Sequence, residues 1–280
     1  MYQNSIITIN EGQIEFDSNE NISVIQEKIL NTTVWIFSSD NKEILNDFTK
    51  KFIEKNDRYV ISYNDMPLEK LVVNELVRKN YTISFGESCT GGMLASTIVN
   101  VSGASSVFQQ SYVTYSNESK IKLLDVKKQT INKYSVYSSE VAEEMVIGLY
   151  NKTKANICVS VTGCAGGDEY SEGDGSCDFA IFINDDENDY LQLEHYHVNG
   201  TRNDVRKMQT NYILWRILLR LKGWIINILM PNCLIKMVVC GIIYKVVFST
   251  TQYCDVNWRI WWKIIILMMH YLRKYQKNKM

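Results

Sequence analysis

Tyr81-Thr82-Ile83-Ser84-Phe85-Gly86-Glu87-Ser88-Cys89-Thr90-Gly91-Gly92 decides how the rest of the chain is read. Residues 81–85 have the length and apolar character of a strand, 86–92 form a glycine-containing turn, and 92–100 have helical spacing. A strand running into a helix through small residues is a building unit of layered α/β domains. The two glycines at 91 and 92 let a backbone approach a ligand closely, the helix start presents unpaired N–H groups, and Ser88 and Thr90 add hydroxyls. This chemistry suits a phosphate group, and it equally suits a tight turn with a capped helix. It is not a P-loop, because the GxxxxGK[ST] lysine is missing.

Outward from this turn the pattern alternates. Strands are expected over 111–115, 157–161, 179–183 and 190–198, and helices over 117–124, 138–150 and 202–221. Upstream, Leu68, Leu71, Val72, Leu76 and Val77 share a helical face, with Asp65 as N-cap, Pro67 inside the first turn and Asn80 as the stop. Interleaved strands and helices give an α/β core domain over 65–222. Residues 1–64 are polar and Asn-rich, with apolar clusters at 34–37 and 59–61, and read as a small N-terminal α+β segment. Residues 223–280 are a basic, apolar, Trp-containing tail. Lys236, Lys245 and Lys263 interrupt its apolar runs, so none reaches the length of a spanning helix.

The 280 residues are 46% hydrophobic, 22% charged and 11% aromatic, which excludes wholesale disorder. The formal charge of −1 conceals a split: residues 1–200 carry 16 Lys+Arg against 29 Asp+Glu, net −13, and 201–280 carry 14 against 2, net +12. Arg202, Arg206, Lys207, Arg216, Arg220 and Lys222 belong to the last core helix, which leaves 223–280 at +7. No nucleic-acid partner is expected. Seven cysteines without CxxC spacing argue against a zinc ribbon and against a disulfide framework. With no basic, apolar leader at the N-terminus, free thiols in a reducing cytoplasm are the expected state. Three histidines supply a His-centred triad poorly, so the chemistry is sought among Ser, Lys, Tyr and Arg.

Three further segments carry such residues. In Tyr112-Val113-Thr114-Tyr115-Ser116-Asn117-Glu118-Ser119-Lys120, a strand leads into a helix whose first turn bears Lys120. A lysine acts as a base only when burial or a cationic neighbour lowers its pKa, and a positive helix start works in that direction. A solvated lysine is the plainer alternative. Val161-Thr162-Gly163-Cys164-Ala165-Gly166-Gly167 is a small-residue loop after a strand, where open α/β sheets bind ligands. In Gly200-Thr201-Arg202-Asn203-Asp204-Val205-Arg206, two guanidiniums one turn apart suit an anion, or an ion pair with the acidic body.

Together, Glu87-Ser88-Cys89-Thr90-Gly91-Gly92, Val113-Thr114-Tyr115-Ser116-Asn117-Glu118 with Lys120, Val161-Thr162-Gly163-Cys164-Ala165-Gly166 and Gly200-Thr201-Arg202 resemble the C-terminal domain of the CinA family, the nicotinamide-nucleotide amidase domain. Order and spacing match over about 68–221. Residues 1–64 weakly resemble the small linker domain of longer members, and the tail resembles nothing in the family. The resemblance implies a three-layer α/β/α sandwich of the CinA C-terminal type. It also implies metal- and cofactor-independent hydrolysis of nicotinamide mononucleotide to nicotinic acid mononucleotide and ammonia. Carried over by position, Ser105 of Gly103-Ala104-Ser105-Ser106 is the expected nucleophile, Lys120 the base and Tyr115 a proton-transfer partner. Ser88, Thr90, Gly91, Thr162 and Gly163 are expected to contact the nucleotide substrate, and Arg202 to anchor its phosphate. A homo-oligomer is expected.

The sequence departs from the family pattern in the acidic loop 167–177, which lacks a Lys-Pro pair, and in Thr201, where the family usually has Asp. An acidic loop near a phosphate site would repel the substrate. Two alternatives therefore stand beside the amidase: a nucleotide-binding member without catalysis, and a variant recruited to a membrane surface by its tail, the latter not favoured.

Overall fold

Strand and helix alternate in the computed structural model much as the apolar periods dictate, and the strands assemble into two sheets. The structure describes residues 1–64, 66–167, 173–185, 188–223, 234–239 and 242–247. These belong to one unit, Met1–Phe248. A second unit, Ser249–Met280, lies outside the described residues, as do Asp65, residues 168–172 of the acidic loop and most of the tail.

The N-terminal segment is a four-stranded sheet of order β2-β3-β1-β4, with β1 (Tyr2–Ile9), β2 (Ser23–Ile29), β3 (Thr32–Ser39) and β4 (Val60–Tyr63), and one helix, α1 (Lys42–Asn56). Trp35 and Phe37, two residues apart on β3, face the same way and close a core with Leu45, Phe48 and Phe52 of α1. The Asn41 side chain accepts from the Glu43 and Ile44 N–H groups and so starts the helix.

The larger sheet runs β11-β10-β9-β8-β7-β5-β6. Its strands are β5 (Ile83–Glu87), β6 (Phe108–Val113), β7 (Ile157–Cys164), β8 (Gly173–Asp185), β9 (Asn188–Gly200), β10 (Leu234–Val239) and β11 (Ile242–Val247). β5 is parallel to both β6 and β7, and the remaining pairings are antiparallel. Side chains alternate across this sheet into two cores. Ile157, Val159, Val161, Phe179 and Ile181 pack toward α2 (Leu68–Lys79), α3 (Met93–Val99) and α7 (Arg202–Leu221). Cys158, Ala180, Phe182, Leu191 and Leu193 pack toward α4 (Asn117–Leu124), α5 (Lys128–Tyr134) and α6 (Ser139–Thr153). The result is the three-layer α/β/α sandwich.

Some expectations shift. Pro67 is the N-cap of α2 and not part of its first turn, because its extended ψ of 164° precedes the helix. β6 starts at Phe108 and stops at Val113, releasing Thr114 and Tyr115 into the approach to α4. β8 and β9 reach 13 residues each because their antiparallel pairing continues past the apolar part of each strand. Within the tail, Leu234–Val239 and Ile242–Val247 add two strands to the sheet, the first of them beside β9. Among the described residues no helix is long and apolar enough to cross a membrane.

α7 is buried on nearly every side, including Leu214, Trp215, Arg216, Leu218 and Leu219, which the one-face spacing did not anticipate. The N-terminal segment covers its second face. Trp215 Nε1 donates to the Arg58 carbonyl at 2.6 Å, Lys222 pairs with Asp57 at 2.8 Å, and Asn31 Nδ2 donates to the Met208 carbonyl at 3.1 Å.

α4 and α6 touch through backbone at Gly148, where an added Cβ would lie 1.8 Å from the Leu124 carbonyl oxygen. Gly148→Ala must therefore push the two helices apart. It is expected to destabilise the protein by about 1–3 kcal/mol, read as a lower denaturant midpoint.

Candidate active site

The parallel strands β5, β6 and β7 end at one edge of the sheet, the position where open α/β sheets collect their chemistry. Ser88 is the first residue beyond β5, and its N–H continues the ladder to the Val161 carbonyl at 3.0 Å. The next strand over, β6, ends at Val113, and the N–H of Thr114 just beyond it donates to the Glu87 carbonyl at 2.7 Å. Ser116 then caps α4 by accepting from Ser119 N–H, which places Lys120 one turn into the helix. Long side chains in a helix point back toward its N-terminus. Lys120 accordingly reaches the strand ends: its Nζ donates to Thr114 O at 2.7 Å, to Ser88 Oγ at 2.8 Å and, more weakly, to Tyr115 O at 3.4 Å.

Lys120 is fully buried, no carboxylate among the described residues pairs with it, and it stands among a hydroxyl and two carbonyls. Desolvation pulls its pKa down to about 8, with the neighbouring Cys89 thiol acting in the opposite direction. The two carbonyls hold two of its protons in place and leave the Ser88 hydroxyl as the group with which a proton can be exchanged. Cys89 is adjacent in sequence, but burial pushes its thiol up to about 12, so it is not a thiolate nucleophile.

The start of α3 is not an open anion cradle. The buried Glu87 carboxylate accepts from the N–H groups of Gly92, Leu94 and Ala95 at 2.9–3.1 Å. These donors are the ones a phosphate would have used, so of the two readings the turn allowed, the geometry is that of an internally capped helix and not of the phosphate cradle.

Ser105, the expected nucleophile, stands at the opposite end of β6 from Lys120. It lies on a 3-10 turn, Ala104–Ser106, that precedes β6, whereas the Ser88 level follows the end of that strand. In the parallel register Ile83 pairs with Phe108 and Glu87 with Val113, so the length of β6, about 16 Å at 3.3 Å per residue, separates Ser105 from Lys120's acceptors. The hydroxyl at Lys120 is that of Ser88.

The other expected site residues divide. Tyr115 is exposed, and its hydroxyl accepts from Arg202 Nη2 at 3.1 Å, which brings those two residues together at the mouth. Tyr115 meets Lys120 through its carbonyl and not its hydroxyl. Thr90 is buried, with its Oγ1 lacking a hydrogen-bond partner among the described residues, beside an exposed Gly91. Thr162 is also buried, and its Oγ1 donates to the Val136 carbonyl at 2.8 Å. Gly163 is required by β8, because a Cβ there would stand 2.2 Å from the Ser176 carbonyl oxygen. Thr162 and Gly163 thus have structural duties at the edge of the site.

Two residues were missed as participants. Glu87 could have been found as a carboxylate shortly before a helix start, the usual place for an N-terminal partner. The Thr114 carbonyl, as backbone, left no signal. Among the described residues no group of three or more His, Cys, Asp or Glu side chains could hold a metal ion.

Fold and site together define an α/β/α domain with a buried lysine–serine pair at the carboxyl ends of parallel strands. The sequence model of the CinA C-terminal domain matches residues 65–221, and the chain belongs to that family. A CinA-like protein of Petrotoga mobilis is 42% identical over 171 residues, covering 60% of this chain and 41% of that protein. A CinA-like protein of Thermotoga maritima is 37% identical over 185 residues, covering 65% and 44%. The chain thus spans about two fifths of the length of these relatives. Among solved structures, a CinA superfamily protein of Klebsiella pneumoniae aligns with a TM-score of 0.50 at 23% identity, covering 56% of this chain and 96% of that one. That likeness supports the fold.

Proposed function

We infer that this chain is a metal-independent amidohydrolase that cleaves the carboxamide of nicotinamide mononucleotide, with Ser88 as nucleophile and Lys120 as base. The observation that carries the reading is the 2.8 Å approach of the buried Lys120 Nζ to Ser88 Oγ, with a lysine pKa near 8. The choice of substrate rests on the family resemblance.

In the proposed reaction, the neutral Lys120 amine takes the Ser88 proton as Oγ attacks the amide carbon. The tetrahedral adduct then collapses: the carbon–nitrogen bond breaks, and the nitrogen leaves as ammonia with the proton returned by Lys120. Water, deprotonated by the same amine, attacks the acyl-serine, and the carboxylic acid departs with Ser88 restored. Arg202, oriented at the mouth by the Tyr115 hydroxyl, supplies a cation for the substrate's phosphate. Binding energy gained there fixes the ring carboxamide at Ser88.

The test is ammonia release from nicotinamide mononucleotide by the purified chain. No turnover above buffer in folded protein would overturn the reading. The pH profile adds a sign. Lys120 works only when neutral, so kcat/KM is expected to rise about tenfold per pH unit on the acid side and to bend near its pKa of about 8. A profile that is flat across that region would remove Lys120 from the base role.

A further inference from the structure

The turn that carries Ser88 is held from behind by a helix that starts more than a hundred residues later. Arg206, in the second turn of α7, donates from Nη2 to the Thr90 carbonyl at 2.8 Å and from Nη1 to Asn203 Oδ1 at 3.3 Å. The Thr90 carbonyl also takes the Met93 N–H at 3.3 Å, while the Gly91 N–H returns to the Ser88 carbonyl at 3.0 Å. Residues 88–91 are therefore a closed turn with an external guanidinium on its third carbonyl. Gly91 sits at φ +61°, and a Cβ there would come within 3.2 Å of Arg206 Nη2, so the guanidinium fills the space that a side chain would need.

By spacing alone Arg202 and Arg206 suit one shared anion or an ion pair with the acidic body. Their protein partners differ. Arg202 reaches the Tyr115 hydroxyl, beyond β6, and Arg206 reaches Thr90, beyond β5. The first of these loops supplies the carbonyls that hold Lys120, and the second carries Ser88. α7 is itself immobilised by burial along its length, so it provides a rigid base for both contacts.

We propose that Arg206 is a positioning residue: by fixing the Thr90 carbonyl it holds the 88–91 turn so that Ser88 Oγ faces Lys120. This rests on the amidase reading for its kinetic consequence, but not for its geometry. A guanidinium suits the task because its planar fork spans Thr90 and Asn203 at once, whereas an ammonium would concentrate its donors at one point.

The experiment uses the full chain with Arg206→Ala, Arg206→Lys, Gly91→Ala and the Arg206→Ala/Gly91→Ala double variant, and Lys207→Ala as control. Two readouts are taken: kcat and KM for nicotinamide mononucleotide, and the pH dependence of Ser88 sulfonylation by phenylmethanesulfonyl fluoride, followed by mass. Arg206→Ala is expected to lower kcat, and the alkaline-plateau labelling rate, by about a hundredfold, with KM changed less than about threefold. Arg206→Lys should recover to within about tenfold of the native rate, because one N–H can still reach Thr90. Gly91→Ala should slow the protein in both backgrounds, because φ +61° strains any L side chain there, and by less in the Arg206→Ala background, where the collision with Nη2 is gone. Should Arg206→Ala not fold, Arg206→Met, which keeps the apolar stem without the donors, is read by the same criteria against Lys207→Ala.

Labelling and kcat within about threefold of native in Arg206→Ala would overturn the proposal. A loss carried wholly by KM would also overturn it, making Arg206 a ligand contact. Native protein that labels at Ser88 but releases no ammonia defeats the choice of substrate alone, and the labelling series then decides on Arg206. Native protein whose Ser88 resists the reagent overturns both readings.

Discussion

Ser88→Ala is expected to abolish ammonia release from nicotinamide mononucleotide, a loss of about 10⁴-fold or more, while Ser105→Ala keeps near-native activity. The two serines separate two pictures of the site. Ser88 Oγ stands 2.8 Å from a lysine that burial has brought to a pKa of about 8. Ser105 sits on an exposed turn at the far end of β6, which no side-chain rotation can bridge. Lys120→Met should cost as much as Ser88→Ala, since the flexible apolar side chain fills the buried space but accepts no proton. The Ser88→Ala/Lys120→Met double variant should be no worse than either alone, because the two groups act as one unit. All four are compared by ammonia release at fixed pH, with circular dichroism to verify folding. Loss of activity in Ser105→Ala alone would return the nucleophile to the position first expected from the resemblance.

The separation of Ser105 from Lys120 shows where sequence stops being legible. The strand-turn-helix at 81–100, the helices at 117–124 and 202–221 and the alternation into a layered domain were all readable, because each depends on local apolar period and capping chemistry. The place of Lys120 one turn into a helix after a strand is equally local, whereas its role as a base comes from the family resemblance. The choice between Ser88 and Ser105 depends on something non-local: the parallel register of β5 against β6, which puts one serine at each end of the sheet. No spacing along the chain encodes that end. Likewise, Arg202 and Arg206 were correctly read as one turn apart, but the loops they grip come from two different strands. The covering of α7 was equally hidden, since Asn31 meets Tyr196 and Met208 across at least 165 positions. A helix face that looked half polar is dry because another part of the chain lies on it.

Arg216, on that covered face, carries the largest expected effect on stability. Its side chain is 2% exposed and that of its partner Glu194 6%; Nη2 and Nε lie 2.6 and 2.8 Å from the same carboxylate oxygen. The carboxylate also accepts from Tyr212 Oη at 3.3 Å and from Gln192, and Glu11 of the N-terminal segment lies within electrostatic reach of the pair. Burial raises the Glu194 pKa, and Arg216 is the largest influence opposing that rise. Arg216→Ala removes the opposition and leaves a buried carboxylate unpaired, at an expected cost of about 3–5 kcal/mol in denaturant unfolding. Replacing both partners, as in Arg216→Met/Glu194→Leu, should cost far less, because the expense lies in stranding one charge and not in losing the pair. The pH dependence has a definite sign. A carboxylate whose folded pKa exceeds its unfolded value penalises folding above that pKa, and the penalty fades as pH falls through it. The deficit of Arg216→Ala relative to the native chain should therefore be largest near neutrality and shrink on acidification. The double variant has no Glu194 to protonate and should show no such recovery. A deficit in Arg216→Ala that stays constant with pH would mean that lost packing, and not the stranded charge, is what the guanidinium prevents.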